Sequence, residues 1–144
     1  MRLKLPRQVA LIAACSCLIG VLAGFAIGKT AYPPLEILLS SSQTVIGQPI
    51  AYPQGVPKVT AAIISLEPGK ETGLHRHPVP LFAYILSGEL TVDYGPDGRR
   101  VFKEGNAFLE ALNSDHNGKN TGSDVTRILA VYIGAEGVAN AEMQ

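Results

Sequence analysis

The chain of 144 residues has no tryptophan, only three histidines and only two cysteines. Both cysteines, Cys15 and Cys17, fall inside one apolar run near the start, so the rest of the chain carries no thiol. This excludes disulfides, thiolate catalysis and cysteine-type zinc sites from the remainder, and it suits an oxidising compartment, where a free thiol would be at risk. Charge is sparse as well. Only 17% of residues are charged, and 12 basic side chains balance 12 acidic ones. Three of those twelve bases, Arg2, Lys4 and Arg7, crowd the N-terminus, which leaves nine for everything after them. No basic face is on offer to nucleic acid, and no DNA-reading motif is present. After Gly28 there is also no helical period with caps at its ends.

What the chain does have at its start is an uncharged stretch from Val9 to Gly28, about the length a helix needs to cross a bilayer. Two readings of residues 1–30 stand side by side: an uncleaved membrane anchor, or a long cleavable signal peptide with a small-residue site near Gly24-Phe25-Ala26. The stretch Ile12 to Cys15 has the look of a lipoprotein box, but the apolar run before Cys15 is too short and the run after it too long. In each case the bases before the run, with only Lys29 just after it, orient the remainder into the periplasm or another extracytoplasmic space. Residues 31–54 read as a spacer and an N-terminal arm. One short strand is expected there, Leu35 to Leu39, between Pro33-Pro34 and a serine run.

Residues 55–144 have the size and apolar content of one domain. Their pattern is one of short strands with frequent breaks: Val59 to Leu66, Leu81 to Leu86, Glu89 to Tyr94, two short pieces on either side of Lys103-Glu104-Gly105, and Val125 to Ile133. An all-β sandwich or barrel follows. The closing stretch from Gly134 to Gln144 is small and polar, and reads as loosely held.

His75 and His77 are two apart, so on a strand their imidazoles share a face and make a bidentate grip for a divalent cation. An exposed His-Arg-His turn has the same spacing, and the dipeptide pattern alone does not choose. The wider arrangement resembles the two motifs of the cupin superfamily. Gly69, His75, His77 and Gly88 stand at the spacing of the first motif, with Leu81 in its acidic slot; Gly105, Ala111, Asn113, His116 and Asn120 stand at the spacing of the second. All three histidines of the chain fall on the three histidine slots. The resemblance implies a double-stranded β-helix, the jelly-roll barrel of the cupins. It also implies His75, His77 and His116 as ligands of a divalent transition metal, for which Mn, Fe, Ni, Zn and Cu suit the donors about equally.

Two departures from that pattern need a physical reading. Asn113 in a glycine slot is acceptable, because asparagine visits positive φ more readily than most residues. Leu81 has no lone pair to give, so the set lacks its anionic ligand. Alternation along "NAFLE" places Glu110 on the face of Phe108, and the resemblance implies that this face turns into the barrel beside His116, where a carboxylate is costly unless paired or metal-bound. Glu110 is therefore the candidate replacement: a metal ligand, directly or through water, or else a partner to a histidine or a catalytic base. If strand parity slips at Gly105-Asn106, it is merely solvated. Phe82, Tyr84, Phe108 and Tyr132 read as core or barrel lining. Asn120 reads as fixing a turn, Asn117 as able to orient a ring or ligand, and Arg76 as a surface salt bridge. Pro78 and Pro80 remove backbone donors and point to an edge or mouth of the sheet.

Three functions are compatible with these residues: a metal-dependent enzyme acting on a small-molecule substrate, for which the resemblance allows oxygenase, isomerase, decarboxylase or hydrolase chemistry; a non-catalytic cupin that holds a ligand or metal; and a structural cupin whose site has been emptied. Fold does not choose among them. The resemblance also allows pairing into a homodimer through sheet edges.

Overall fold

Alternation of apolar and polar side chains decides most of the architecture. The computed structural model describes residues 34–144. The expected signal, anchor or hydrophobic helix at 1–30 lies outside the described residues, and among the described residues no helix is long and apolar enough to cross a membrane. Nine strands follow in order: β1 (Pro57–Leu66), β2 (His75–Arg76), β3 (Leu81–Ser87), β4 (Glu89–Asp93), β5 (Arg99–Lys103), β6 (Ala107–Leu109), β7 (Asn117–Asn120), β8 (Thr126–Ala135) and β9 (Glu142–Met143). A 3-10 turn, Gly95–Asp97, joins β4 to β5.

The strands form a four-stranded sheet in the order β1-β8-β3-β6, a three-stranded sheet β5-β4-β7 and a two-stranded sheet β2-β9, with every pairing antiparallel. On β3, Leu81, Ala83 and Ile85 are buried and alternate with partly exposed neighbours, and on β4 Leu90 and Val92 do the same. These two inward faces meet. Ala83, Ile85, Phe108 and Ile128 from the larger sheet pack against Leu90, Val92, Tyr94 and Phe102 from the smaller one, with Phe102 and Phe108 stacked at 3.7 Å between ring centroids. The result is a jelly-roll sandwich. Phe82 and Tyr84, expected as core or lining, sit on the opposite parity of β3 and are only partly buried, whereas Phe108 is in the core.

Gly88 is the corner at which the chain leaves one sheet for the other. Its φ of +82° lies in the left-handed region, and a Cβ there would stand 2.8 Å from the Cα of Thr126. No larger residue fits.

Two expectations about the flanks are corrected. Leu35 to Leu39 forms no strand, and Leu35, Ile37 and Leu38 are exposed. A lone strand needs a partner, and the segment docks further along instead. Val45 N–H donates to the Leu109 carbonyl at 2.8 Å, the Gln48 side chain bonds both backbone groups of Leu112, and Val45 and Ile46 pack on the core. Residues 36–144 consequently form one unit. The closing stretch is not loose either. Its β9 pairs with β2, and Gln144 N–H donates to the Leu74 carbonyl at 3.0 Å.

Candidate metal centre

Each histidine reaches the site from an irregular part of the backbone held by the sheets around it. His75 opens β2 and is bridged through its backbone to His116, with N–H···O distances of 3.0 and 2.8 Å in the two directions. His77 lies just past β2 and is bridged to Leu112, and its carbonyl accepts from Asn113 N–H at 2.8 Å. Asn113 has a φ of +52° and is the one non-glycine residue with positive φ among the described residues, the conformation expected of it in a glycine slot. That twist turns the chain between Leu112 and His116. Pro78 and Pro80 lie in the bend between β2 and β3, outside both strands, where their missing donors interrupt no ladder.

These constraints bring the three rings together. Centroids of His75, His77 and His116 are 4.5 to 5.1 Å apart, their ligand atoms all lie within 4.8 Å of one another, and all three side chains are buried. Every Nδ1 is engaged by a backbone carbonyl: His75 with Gly73 at 2.8 Å, His77 with Asn140 at 2.8 Å and His116 with Ser114 at 2.9 Å. A carbonyl can only accept, so each Nδ1 carries the proton and each Nε2 lone pair is left free. Burial holds all three rings below the ordinary imidazole pKa, His77 at about 4, so they are neutral at physiological pH. Two bonds of ~2.1 Å to one ion span at most about 4.2 Å, so only a small inward movement of the side chains is needed for a common cation.

Glu110 follows β6 and is buried beside this cluster, which rules out the slipped, solvated alternative. Its Oε2 is 3.8 Å from His116 Nε2, longer than a hydrogen bond, while its Oε1 accepts from Ala111 N–H at 2.7 Å. Glu110 N–H donates to the Leu81 carbonyl at 2.9 Å, so the carboxyl stands one strand across from the leucine that fills the acidic slot. Burial raises its pKa to about 7, against the lowering effect of the Ala111 N–H. The pair with His116 is therefore not a fixed ion pair in the metal-free site.

Tyr94 was read from the sequence only as the end of a strand. Following Leu90 and Val92 in parity, it is fully buried, its ring 5.7 Å from His116. Its hydroxyl has no hydrogen-bond partner among the described residues, although it faces Glu110 closely enough for each to affect the other's ionisation. Tyr132 pairs with Leu81 across β8 and β3 and sets its ring 5.6 Å from His77.

Other expected residues separate from the site. Arg76 points away and pairs with Glu142 at 2.8 Å. Asn120 fixes the turn after β7, donating to the Leu66 and Asp124 carbonyls and accepting from Gly122 N–H. Asn117 bonds Glu71 and Thr72, and its side chain hydrogen-bonds no histidine among the described residues. The Asn140 carbonyl was missed, because a backbone oxygen acting at a distance leaves no signal in residue types.

A family profile described as the cupin domain matches residues 62–132. The domain is a cupin. Among solved structures, the cupin is similar to oxalate decarboxylase of Lactobacillus farciminis, with 22% identity and a TM-score of 0.50 over 59% of this chain and 26% of that one. It is similar also to the DMSP lyase DddQ of Ruegeria pomeroyi DSS-3, with 19% identity and a TM-score of 0.52 over 60% of this chain and 43% of the other. Oxalate decarboxylase of Bacillus subtilis, a protein with Mn(II) centres, matches at 21% identity and a TM-score of 0.50 over 59% of this chain and 23% of its own. The cupin thus spans less than half the length of each of these structures, and the likeness at such identities is one of fold. No curated protein sequence matches it significantly.

Lining the space in front of the histidines are Leu81, Ala83, Val92, Phe108 and Ile128, with Thr72, Glu110 and Tyr132 as the polar additions. The cavity measures about 50 Å³, and among the described residues no lysine or arginine lines it.

Proposed function

We propose that this cupin binds one divalent transition metal through His75, His77 and His116, with Glu110 as a fourth ligand directly or through water, and acts there on a small molecule. The observation that carries this reading is the set of three buried imidazoles, each fixed as its Nδ1–H form by a carbonyl, with three free lone pairs directed to one place. Neutral imidazoles and a buried carboxyl suit Mn, Fe, Ni, Zn or Cu. When bound, such an ion would supply Lewis acidity or activate water or oxygen. The chain's own residues would do the rest. Apolar walls exclude bulk water, the small cavity admits only a compact substrate, and Glu110, with a pKa near 7, is placed to take or return a proton.

The same reading includes export to the periplasm or another extracytoplasmic space, membrane contact through residues 1–30, and pairing into a homodimer. Export and membrane contact are supported by the uncharged run from Val9 to Gly28 and the absence of cysteine beyond it. A second reading is a non-catalytic cupin that holds a metal or ligand; Leu81 in the acidic slot and the narrow cavity favour it.

Elemental analysis and calorimetric titration with Zn²⁺ and Mn²⁺ test the site. One equivalent is expected in the native protein and none in His77→Ala or His116→Ala. Equal metal content in all three would overturn the reading. Loss of metal in Glu110→Ala marks it as a ligand, and retention refutes that assignment while leaving the histidines in place.

A further inference from the structure

The closing segment Val138–Gln144 touches the histidine cluster through its backbone. The Asn140 carbonyl accepts the Nδ1 proton of His77 at 2.8 Å, whereas His75 and His116 are held by carbonyls only two residues back along their own loops. Met143 also lies over Gly73, the residue whose carbonyl holds His75; a Cβ on Gly73 would come within 3.0 Å of the methionine methyl. The segment is retained by the two-residue pairing of β9 with β2, by Arg76–Glu142 at 2.8 Å, and by Gln144 N–H on the Leu74 carbonyl. These are few and largely exposed contacts, typical of a segment that opens locally more readily than the core.

We propose that Val138–Gln144 is a positioning latch, whose docking sets the tautomer of His77 and thereby the metal affinity of the site. This inference rests on the metal-binding reading above. In water a neutral imidazole favours the proton on Nε2, the nitrogen that must be bare to bind a cation. The Asn140 carbonyl reverses that preference while the latch is docked. Undocking therefore costs His77 its orientation and its free lone pair together. Loss of such an outer partner lowers metal affinity about 10- to 100-fold. The coupling is reciprocal, so a bound metal must hold the latch down.

Long-range ¹H–¹⁵N correlation spectra of the metal-free full chain at pH 8 would show His77 protonated on Nδ1. Deleting residues 140–144 is expected to move that proton to Nε2 and to weaken Zn²⁺ binding by 10-fold or more. Should the deletion impair folding, Glu142→Arg supplies like-charge repulsion against Arg76 and is expected to shift His77 the same way in part, with Arg76→Glu/Glu142→Arg restoring it. An unchanged His77 tautomer in both the deletion and Glu142→Arg would overturn the latch. If the native chain took up no Zn²⁺, the metal reading would fail, and the tautomer would still decide this inference. With Zn²⁺ bound, slower exchange of the Gln144 amide is expected, and an unchanged rate counts against the coupling.

Discussion

Glu110 and His77 respond to acid in opposite directions, and their opposition predicts how the metal-free protein behaves. The Glu110 pKa rises from 4.5 to about 7 on folding, so it contributes stability that is present below 4.5 and lost as pH climbs through 7. The His77 pKa falls from 6.5 to about 4, so it contributes stability that is present above 6.5 and lost as pH falls toward 4. Each displacement corresponds to on the order of 3 kcal/mol, so the two nearly cancel between pH 4 and 7. Glu110→Gln removes one side of the balance. Chelator-treated Glu110→Gln should therefore lose stability on acidification from pH 6.5 to 4.5 more steeply than the chelator-treated native protein. Urea unfolding midpoints at several pH values measure this, and parallel profiles would refute it.

Among the elements, the passage from β3 to β4 is the most constrained. Gly88→Ala must place a methyl 2.8 Å from the backbone of Thr126 in a conformation that alanine rarely adopts. A loss of about 2 kcal/mol or more is expected in chemical unfolding, and a change below 0.5 kcal/mol would show that the corner can relax. The glycine belongs to the motif read from the sequence, and such residues made much of the architecture legible. Strong alternation marked β3 and β4, and the parity of "NAFLE", joined to the motif resemblance, placed Glu110 inside with Phe108. Asn113 was legible because few residue types accept its φ. Illegible were β9 and the Asn140 carbonyl, since their roles are played by backbone groups whose partners lie over sixty residues away. A small, polar segment carries no side-chain pattern that distinguishes docking from disorder. The strand expected at Leu35 to Leu39 failed for the complementary reason: its composition favoured a strand, but among the described residues it pairs with no strand.

At the scale of the whole molecule, the candidate site gathers side chains from distant parts of one chain. His75 and His77 come from the short β2 edge, His116 from the approach to β7 in the smaller sheet, and Glu110 from the end of β6 in the larger one. The unfolded chain has no such cluster, so a cation bound by these groups acts on the global folding equilibrium and ties the two sheets and the closing segment together. Metal at a hundredfold excess over its dissociation constant adds about 2.7 kcal/mol to the native state. For a domain of this size that raises Tm by roughly 10 °C. Thermal unfolding with and without Zn²⁺ or Mn²⁺ measures the shift, which a chelator must reverse. His116→Ala must abolish it, because only its ring joins the β7 side of the fold to the other two. A shift that survived in His116→Ala would place the stabilising cation elsewhere on the molecule, and a shift that appeared in neither protein would leave the three converging imidazoles without a metal to hold.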